Sequence, residues 1–189
     1  MRLDGSLPKV MIEALRDAHA LRMKELEQAY SNPVEREVAI REEKSIYSGK
    51  FNDLLDNDST GPHWLKDRKI ASLVRDSFVY WHEQGRFKLI VVTIMSNHVH
   101  AMLYKIQKPL YRILQSIKTH TATEANKILD RTGQTFWAHE SYDNLVRDRD
   151  DLGVKLRYIL NNPVQIGLVK HWSAWEWTWL NPEFEHYAR

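Results

Sequence analysis

Between Leu7 and Tyr30 the apolar residues Ile12, Leu15, Met23, Leu26 and Tyr30 return to one face at helical spacing. They follow Ser6, Leu7 and Pro8, a start in which a serine hydroxyl caps free amides and a proline gives up no hydrogen bond. The pattern predicts a first amphipathic helix over about 7–30. Asn32, Pro33 and Glu35 repeat the start signal, with the acid placed as in a capping box, and predict a second helix running into the forties. "LDNDSTGPH", Leu55 to His63, is concentrated loop chemistry. It separates a helical front section, 1–60, from the remainder, 61–189. Leu65, Ile70, Leu73, Val74, Ser77 and Trp81 then recur near helical spacing as far as Gly85, a plausible stop for a third helix.

The period changes after Gly85. "FKLIVVTIM" is rich in β-branched residues, breaks at Ser96-Asn97, and is followed by the alternating "HVHAMLY". Together they predict a β-hairpin over 87–94 and 98–104. Pro109 opens another helix with an apolar stripe of Leu110, Ile113, Leu114, Ile117 and Ile128. Residues Phe136 to Arg147 are a candidate short strand. Asp148, Asp150 and Asp151 suit the N-terminal turn of a last helix, which Pro163 is expected to end. Trp172, Trp175, Trp177 and Trp179 crowd the tail. They are expected to seal the core, with base stacking as the alternative use.

Composition narrows the class. A chain of 189 residues with 43% apolar and 28% charged positions is expected to form one folded domain. It has neither a run of eighteen apolar residues nor a leader sequence, so a cytoplasmic location without membrane contact is expected. With no cysteine, any metal must be held by His, Asp, Glu, Asn or Gln. Net charge is only +2, but residues 1–60 carry 9 Lys+Arg against 12 Asp+Glu, and residues 61–189 carry 18 against 13. The basic excess therefore lies with the hairpin, which is compatible with a polyanionic ligand.

Two groups of residues carry possible chemistry. His98 and His100 lie two apart on the expected strand, so they project from one face and can bind one divalent ion through neutral imidazoles. The other reading of the pair is two hydrogen-bonded histidines on a half-buried face. On the last helix Leu152, Leu156 and Ile159 form the buried stripe, which leaves Tyr158 at its edge with Asn161 and Asn162 on the same side. By spacing alone Tyr158 is either a nucleophile beside a ligand or a packing residue.

Four blocks in order, "SNHVHAML", "LQSIKTHTATEAN", "FWAHESYDNLVRD" and "LRYILNNPVQIGLV", resemble the REP-associated tyrosine transposases, relatives of the insertion-sequence transposases that move single-stranded DNA. The resemblance spans about 60–175. It implies an α+β fold with a ferredoxin-like antiparallel sheet, packed helices and a helical N-terminal section. It also implies that His98 and His100 bind a catalytic divalent ion, Mg²⁺ or Mn²⁺, with Asn162 as third ligand and Tyr158 as nucleophile. The implied substrate is single-stranded DNA folded into a palindromic hairpin. Lys118, His120, Arg147 and Arg157 fall within the matching blocks and become candidate phosphate contacts. Both a monomer and a helix-exchanging dimer agree with the resemblance.

Relatives of this kind open with a strand that pairs with the histidine strand, and Met1 falls just before the point where "RLDGSLP" matches. The first strand is therefore expected to be missing or reduced to a stub. Two further readings stay open beside the transposase: a nucleic-acid-binding remnant without turnover, and a hydrolase that uses the histidine metal and water. In-frame translation upstream of Met1 is expected to supply a strand-like segment of about six to ten residues. A stop codon directly upstream, with no alternative start, would count against a functional enzyme.

Overall fold

Asp67 accepts hydrogen bonds from the amides of Lys69 (2.8 Å) and Ile70 (3.4 Å) and so starts α3 (Arg68–Glu83), whose Ile70, Ala71, Val74 and Phe78 are buried. In this computed structural model, which describes residues 1–57 and 60–188, α3 begins later than its apolar spacing suggested. Trp64–Lys66 form a separate single turn.

The chain divides into two compact units, one of Met1–Asp4, His63–Ser141 and Leu145–Arg189, the other of Gly5–Pro62 and Tyr142–Asn144. In the larger unit β1 (Lys88–Ile94) is buried at every position but its first. It is therefore an interior strand, which accounts for its nearly unbroken apolar run. It pairs antiparallel with β2 (Val99–Tyr104), with Thr93 opposite His100 and Ile94 opposite Val99, and the register shifts between Leu89 and Val91. On its other side lies β3 (Thr178–Leu180), so the sheet order is β2-β1-β3.

Helices cover both faces of the sheet. Val92, Ile94 and Val99 pack with α3 and with Ile113 and Ile117 of α4 (Leu110–Ile128). Ile90, Val91 and Met102 pack with Leu156, Ile159 and Leu160 of α5 (Arg149–Gln165). Trp177 is buried in the first cluster, with Trp175 and Trp179 packed against it, while Trp172 packs against the second. The tail tryptophans thus seal the core, as expected.

Residues Met1–Leu3 form the expected stub. The Val99 amide donates to the Met1 carbonyl (2.7 Å) and the Leu3 amide to the Asn97 carbonyl (2.9 Å), with Arg2 opposite His98. On the stub's far side the Asp4 amide donates to Phe136 O (2.9 Å) and the Ala138 amide to Arg2 O (3.0 Å). The expected α+β class, with an antiparallel sheet and a helical front section, is present.

In the smaller unit α1 (Lys9–Ala29) and α2 (Pro33–Asn57) pack through Ile12, Phe51 and Leu55, with Leu7. His19 stacks on Tyr47 at 4.1 Å and its Nδ1 lies 3.1 Å from Glu43 Oε1. Tyr142 packs on Phe51 at 4.0 Å.

Three expectations need correction. Leu55–Asn57 belong to α2 and not to a loop, because burying Phe51 and Leu55 outweighs local turn chemistry. Positions 58 and 59 of that loop lie outside the described residues. Residues 136–147 form no strand beyond an isolated bridge of Trp137 with Leu3. Pro163 sits inside α5. In the last turn it forfeits a single backbone bond, and the helix runs on to Gln165, after which Gly167 (φ 73°) turns the chain and the Leu168 amide closes onto Pro163 O at 2.9 Å.

Phe78→Ala is expected to lower stability by about 3–5 kcal/mol, whereas Leu145→Ala, at a position 83% exposed, should change it by under about 0.5 kcal/mol. Urea unfolding followed by circular dichroism distinguishes the two, and similar losses would contradict the core assignment.

Candidate active site

Side chains alternate along β2, so His98, His100 and Met102 share a face. Met102 packs into the cluster built with α5, which places the histidines on the α5 side of the sheet. There the His100 and Tyr158 rings meet edge to face, 5.9 Å between centroids at 81°. Two residues 58 positions apart in the chain are thus brought together by the packing of α5 on the hairpin.

The two imidazoles converge. Their Nε2 atoms are 2.8 Å apart, and His98 Nδ1 lies 2.8 Å from Asn97 Oδ1. An amide oxygen only accepts, so His98 carries its hydrogen on Nδ1 and donates to Asn97. Its Nε2 is then a lone pair, and His100 donates to it through Nε2–H. Burial, the largest effect, pushes both rings down, His98 well below the usual histidine range and His100 to about 3; the nearby positive groups act in the same direction. Both rings are therefore neutral near pH 7, the form in which imidazole binds a metal.

Asn162 is fully buried on α5, one helical turn beyond the half-buried Tyr158. Convergent neutral imidazoles can bind a divalent ion once His100 carries its hydrogen on Nδ1, and the Asn162 amide on the facing helix is a further oxygen donor. Among the described residues no group of three His, Cys, Asp or Glu side chains gathers to hold a metal.

The candidate phosphate contacts divide. The Lys118 ammonium donates to the carbonyls of Ala138 (2.9 Å), His139 (3.1 Å) and Glu140 (3.4 Å), holding the segment that follows the Trp137 bridge. Arg147 forms a fork onto Asp151 through Nε and Nη2, both at 3.2 Å. Asp151 also accepts from Lys155 Nζ at 2.8 Å. Burial raises the Asp151 carboxyl, but these hydrogen bonds outweigh it and hold the group well below the usual carboxylate range. His120 and Arg157 are exposed, and Arg157 Nη1 donates to Tyr187 O at 3.2 Å.

Sequence reasoning missed Asn97, which it took only as the hairpin break. This residue is buried, its side chain orients His98, and its carbonyl accepts from the Leu3 amide. An amide directly before a His-x-His pair was the available signal, because such pairs need a partner on the second ring nitrogen.

The family described as "Transposase IS200 like" matches residues 63–162, which contain both histidines, Tyr158 and Asn162. No curated protein gives a significant match. A solved structure described as a REP-associated tyrosine transposase bound to a REP hairpin is similar with a TM-score of 0.51 at 16% identity, over 65% of this chain and 70% of that one. At that identity the likeness is one of fold.

Buried neutral histidines make stability depend on pH. In the unfolded chain each takes up a proton near pH 6.5, but in the folded chain His100 does so only at about 3 and His98 well below 6.5. The unfolded state thus binds more protons below about pH 6.5, so stability is full above that value and falls as pH drops toward 3. For protein kept in EDTA, the loss is expected to reach up to roughly 1.4 kcal/mol per pH unit for each histidine. Urea midpoints between about pH 7 and 4 should fall less steeply for His100→Phe than for the unmutated chain. Equal slopes would contradict the assignment.

Proposed function

The chain belongs to the IS200-like transposase family, and from that premise we propose that it cleaves and rejoins single-stranded DNA carrying a hairpin. The observation that supports this most is the meeting of Tyr158 on α5 with His100 on β2, at 5.9 Å between ring centroids. Hairpin DNA as substrate comes from the solved structure of similar fold, whose description names a REP hairpin.

In this reading Tyr158 Oη attacks a DNA phosphorus. A phosphorus–oxygen bond forms to tyrosine, the bond to the 3′ oxygen breaks, and that oxygen leaves as a 3′-hydroxyl after taking up a proton. The phenol loses its proton, and the strand end is held as a 5′-phosphotyrosine. A second 3′-hydroxyl then attacks the same phosphorus and releases the tyrosine. One phosphodiester is exchanged for another in each step, so no nucleotide triphosphate is consumed.

A phenol with a pKa near 10 is a weak nucleophile at neutral pH. His98, His100 and Asn162 would hold a divalent ion, Mg²⁺ or Mn²⁺, and when bound such an ion polarises a phosphoryl oxygen and offsets developing negative charge. Asn97 keeps His98 in the tautomer that leaves its Nε2 lone pair toward the site. Packing of Leu156, Ile159 and Leu160 on Ile90, Val91 and Met102 keeps the tyrosine helix against the strand, so the attacking oxygen is delivered by the core and not by a mobile loop. His120, which is exposed, is freer to meet a DNA backbone than Lys118, Arg147 and Arg157, which hold internal partners.

Incubation with a hairpin-bearing single-stranded oligonucleotide and Mg²⁺ or Mn²⁺ is expected to give a covalent protein–DNA adduct, visible on a denaturing gel. Tyr158→Phe should abolish it. Adduct from Tyr158→Phe at the unmutated level would remove Tyr158 from its role, and cleavage without adduct that needs His98 and His100 would select the hydrolase reading. Binding without cleavage would select a DNA-binding remnant. Asn97→Ala should slow adduct formation by roughly 10- to 100-fold at limiting metal, with partial recovery at high metal.

A further inference from the structure

Residues Gln84 to Thr123 include six Lys or Arg and no Asp or Glu. The fold gathers three of these cations around a cavity of about 300 Å³ lined by Trp81, Arg86, Lys108, Arg112, Ile113, Gln115 and Ser116. Its walls are the end of α3 and the start of α4, held together where the Gln107 amide donates to Arg86 O at 3.0 Å. No carboxylate lines it, and among the described residues none of the three cations is paired with one.

Local electrostatics point to a missing anion. Helix α4 starts behind Pro109 with no side-chain cap and no acid in its first turn, and its Arg112 amide turns back onto Pro109 O at 2.9 Å. Lys108 and Arg112 flank that start, a charge opposite to the one that the positive end of a helix favours. An anion in the cavity would offset the charge of Arg86, Lys108 and Arg112 together. Aromatic rings stand beside them. Arg86 lies over the Trp81 ring at 5.8 Å, and Arg112 lies over Tyr111 at 5.8 Å while its Nε donates to the Tyr111 hydroxyl at 3.0 Å. Tyr111 is 63% exposed, which leaves a ring face open to a planar group.

This cavity is separate from the Tyr158 site. It adjoins the segment after Tyr104, six residues beyond His98, a run of about 20 Å along a strand. Its Ile113 belongs to the core cluster on the α3 and α4 side of the sheet, whereas the histidines face α5.

We propose that the cavity is a second DNA contact, which takes a backbone phosphate of a single-stranded arm of the substrate while Tyr111 stacks on the adjoining base. Three cations without a carboxylate partner suit a phosphate, and the open ring suits an unpaired base, whose face a duplex would hide. An acidic protein surface would use the charge but leave the ring without a role. The identity of the polymer rests on the function proposed above, while the position and chemistry of the cavity do not.

The test is fluorescence anisotropy with the full chain in EDTA, comparing a hairpin that carries a single-stranded arm with the same hairpin lacking it, over a salt series. Arg86→Gln, Lys108→Gln and Arg112→Gln are each expected to weaken binding of the armed hairpin several-fold and to flatten the slope of log K against log salt by about 0.7. Tyr111→Ala should weaken it by about fivefold or more. Without the arm the variants should match the unmutated chain. All four positions are exposed, and circular dichroism melts confirm that each variant is folded. Unchanged slopes and affinities, while the unmutated chain binds the armed hairpin, would overturn the proposal and leave the Tyr158 reading standing. Poly-glutamate that displaces the arm more effectively than single-stranded DNA does would overturn it in favour of an acidic protein partner. A chain that binds no DNA would overturn it together with the proposed function, whereas a failed adduct assay with normal binding touches the Tyr158 reading alone.

Discussion

Strand β1 is buried on both faces from Leu89 to Ile94, and the rest of the larger unit is arranged by that constraint. A strand covered on both sides cannot slip by one residue without exchanging its whole set of side chains between two different cores. Its register with β2 is therefore held firmly, and with it the face on which His98 and His100 emerge. The same burial requires a helical layer on each side. One layer is α3 with α4, and the other is α5, which carries Tyr158. Hydrophobic burial thus sets the approach of a tyrosine to a histidine pair.

The polar part of the site is built on this frame in a chain of dependent contacts. The Met1–Leu3 stub pairs with residues 97–99, so the Asn97 backbone is held from outside while its side chain holds His98 from within. His98 in turn receives His100. Each group is satisfied by the next, as buried polar groups require, and the result is two neutral imidazoles with convergent nitrogens. Charge is handled differently at the start of α5, where Arg147 and Lys155 both hold Asp151. That ion cluster ties down the chain just before the helix that carries Tyr158.

On the function proposed above, two regions of the larger unit would meet DNA in different ways. The histidine and tyrosine site is mostly buried, neutral and closely packed, as phosphoryl transfer by a positioned group requires. The cavity between α3 and α4 is open, cationic and edged by aromatic rings, as holding a flexible strand requires. A strand anchored at one and cut at the other would be restrained across the sheet.

Much of this was legible in the residues. The hairpin, α1, α3, α4 and α5 follow from apolar periodicity, and the shared face of His98 and His100 from strand alternation, while the link of Tyr158 to that pair came from the resemblance of four ordered blocks. The periodic features are local, set within a few residues by the periods 2 and 3.6. What the residues left open depended on distant partners. Leu55 to Asn57 read as loop, and only the burial of Phe51 and Leu55 made them helix. Trp137 read as part of a strand, but its pairing with Leu3 stays a single bridge. Thr178–Leu180, three residues inside a tryptophan cluster, became a strand only because β1 had an edge to fill. Asn97 acquired its role when the chain turned His98 Nδ1 onto its amide. Sequence by itself determined which segments were strand or helix and which side chains shared a face. Tertiary structure decided which faces met, because burial and hydrogen-bond satisfaction are summed over residues that only folding brings together.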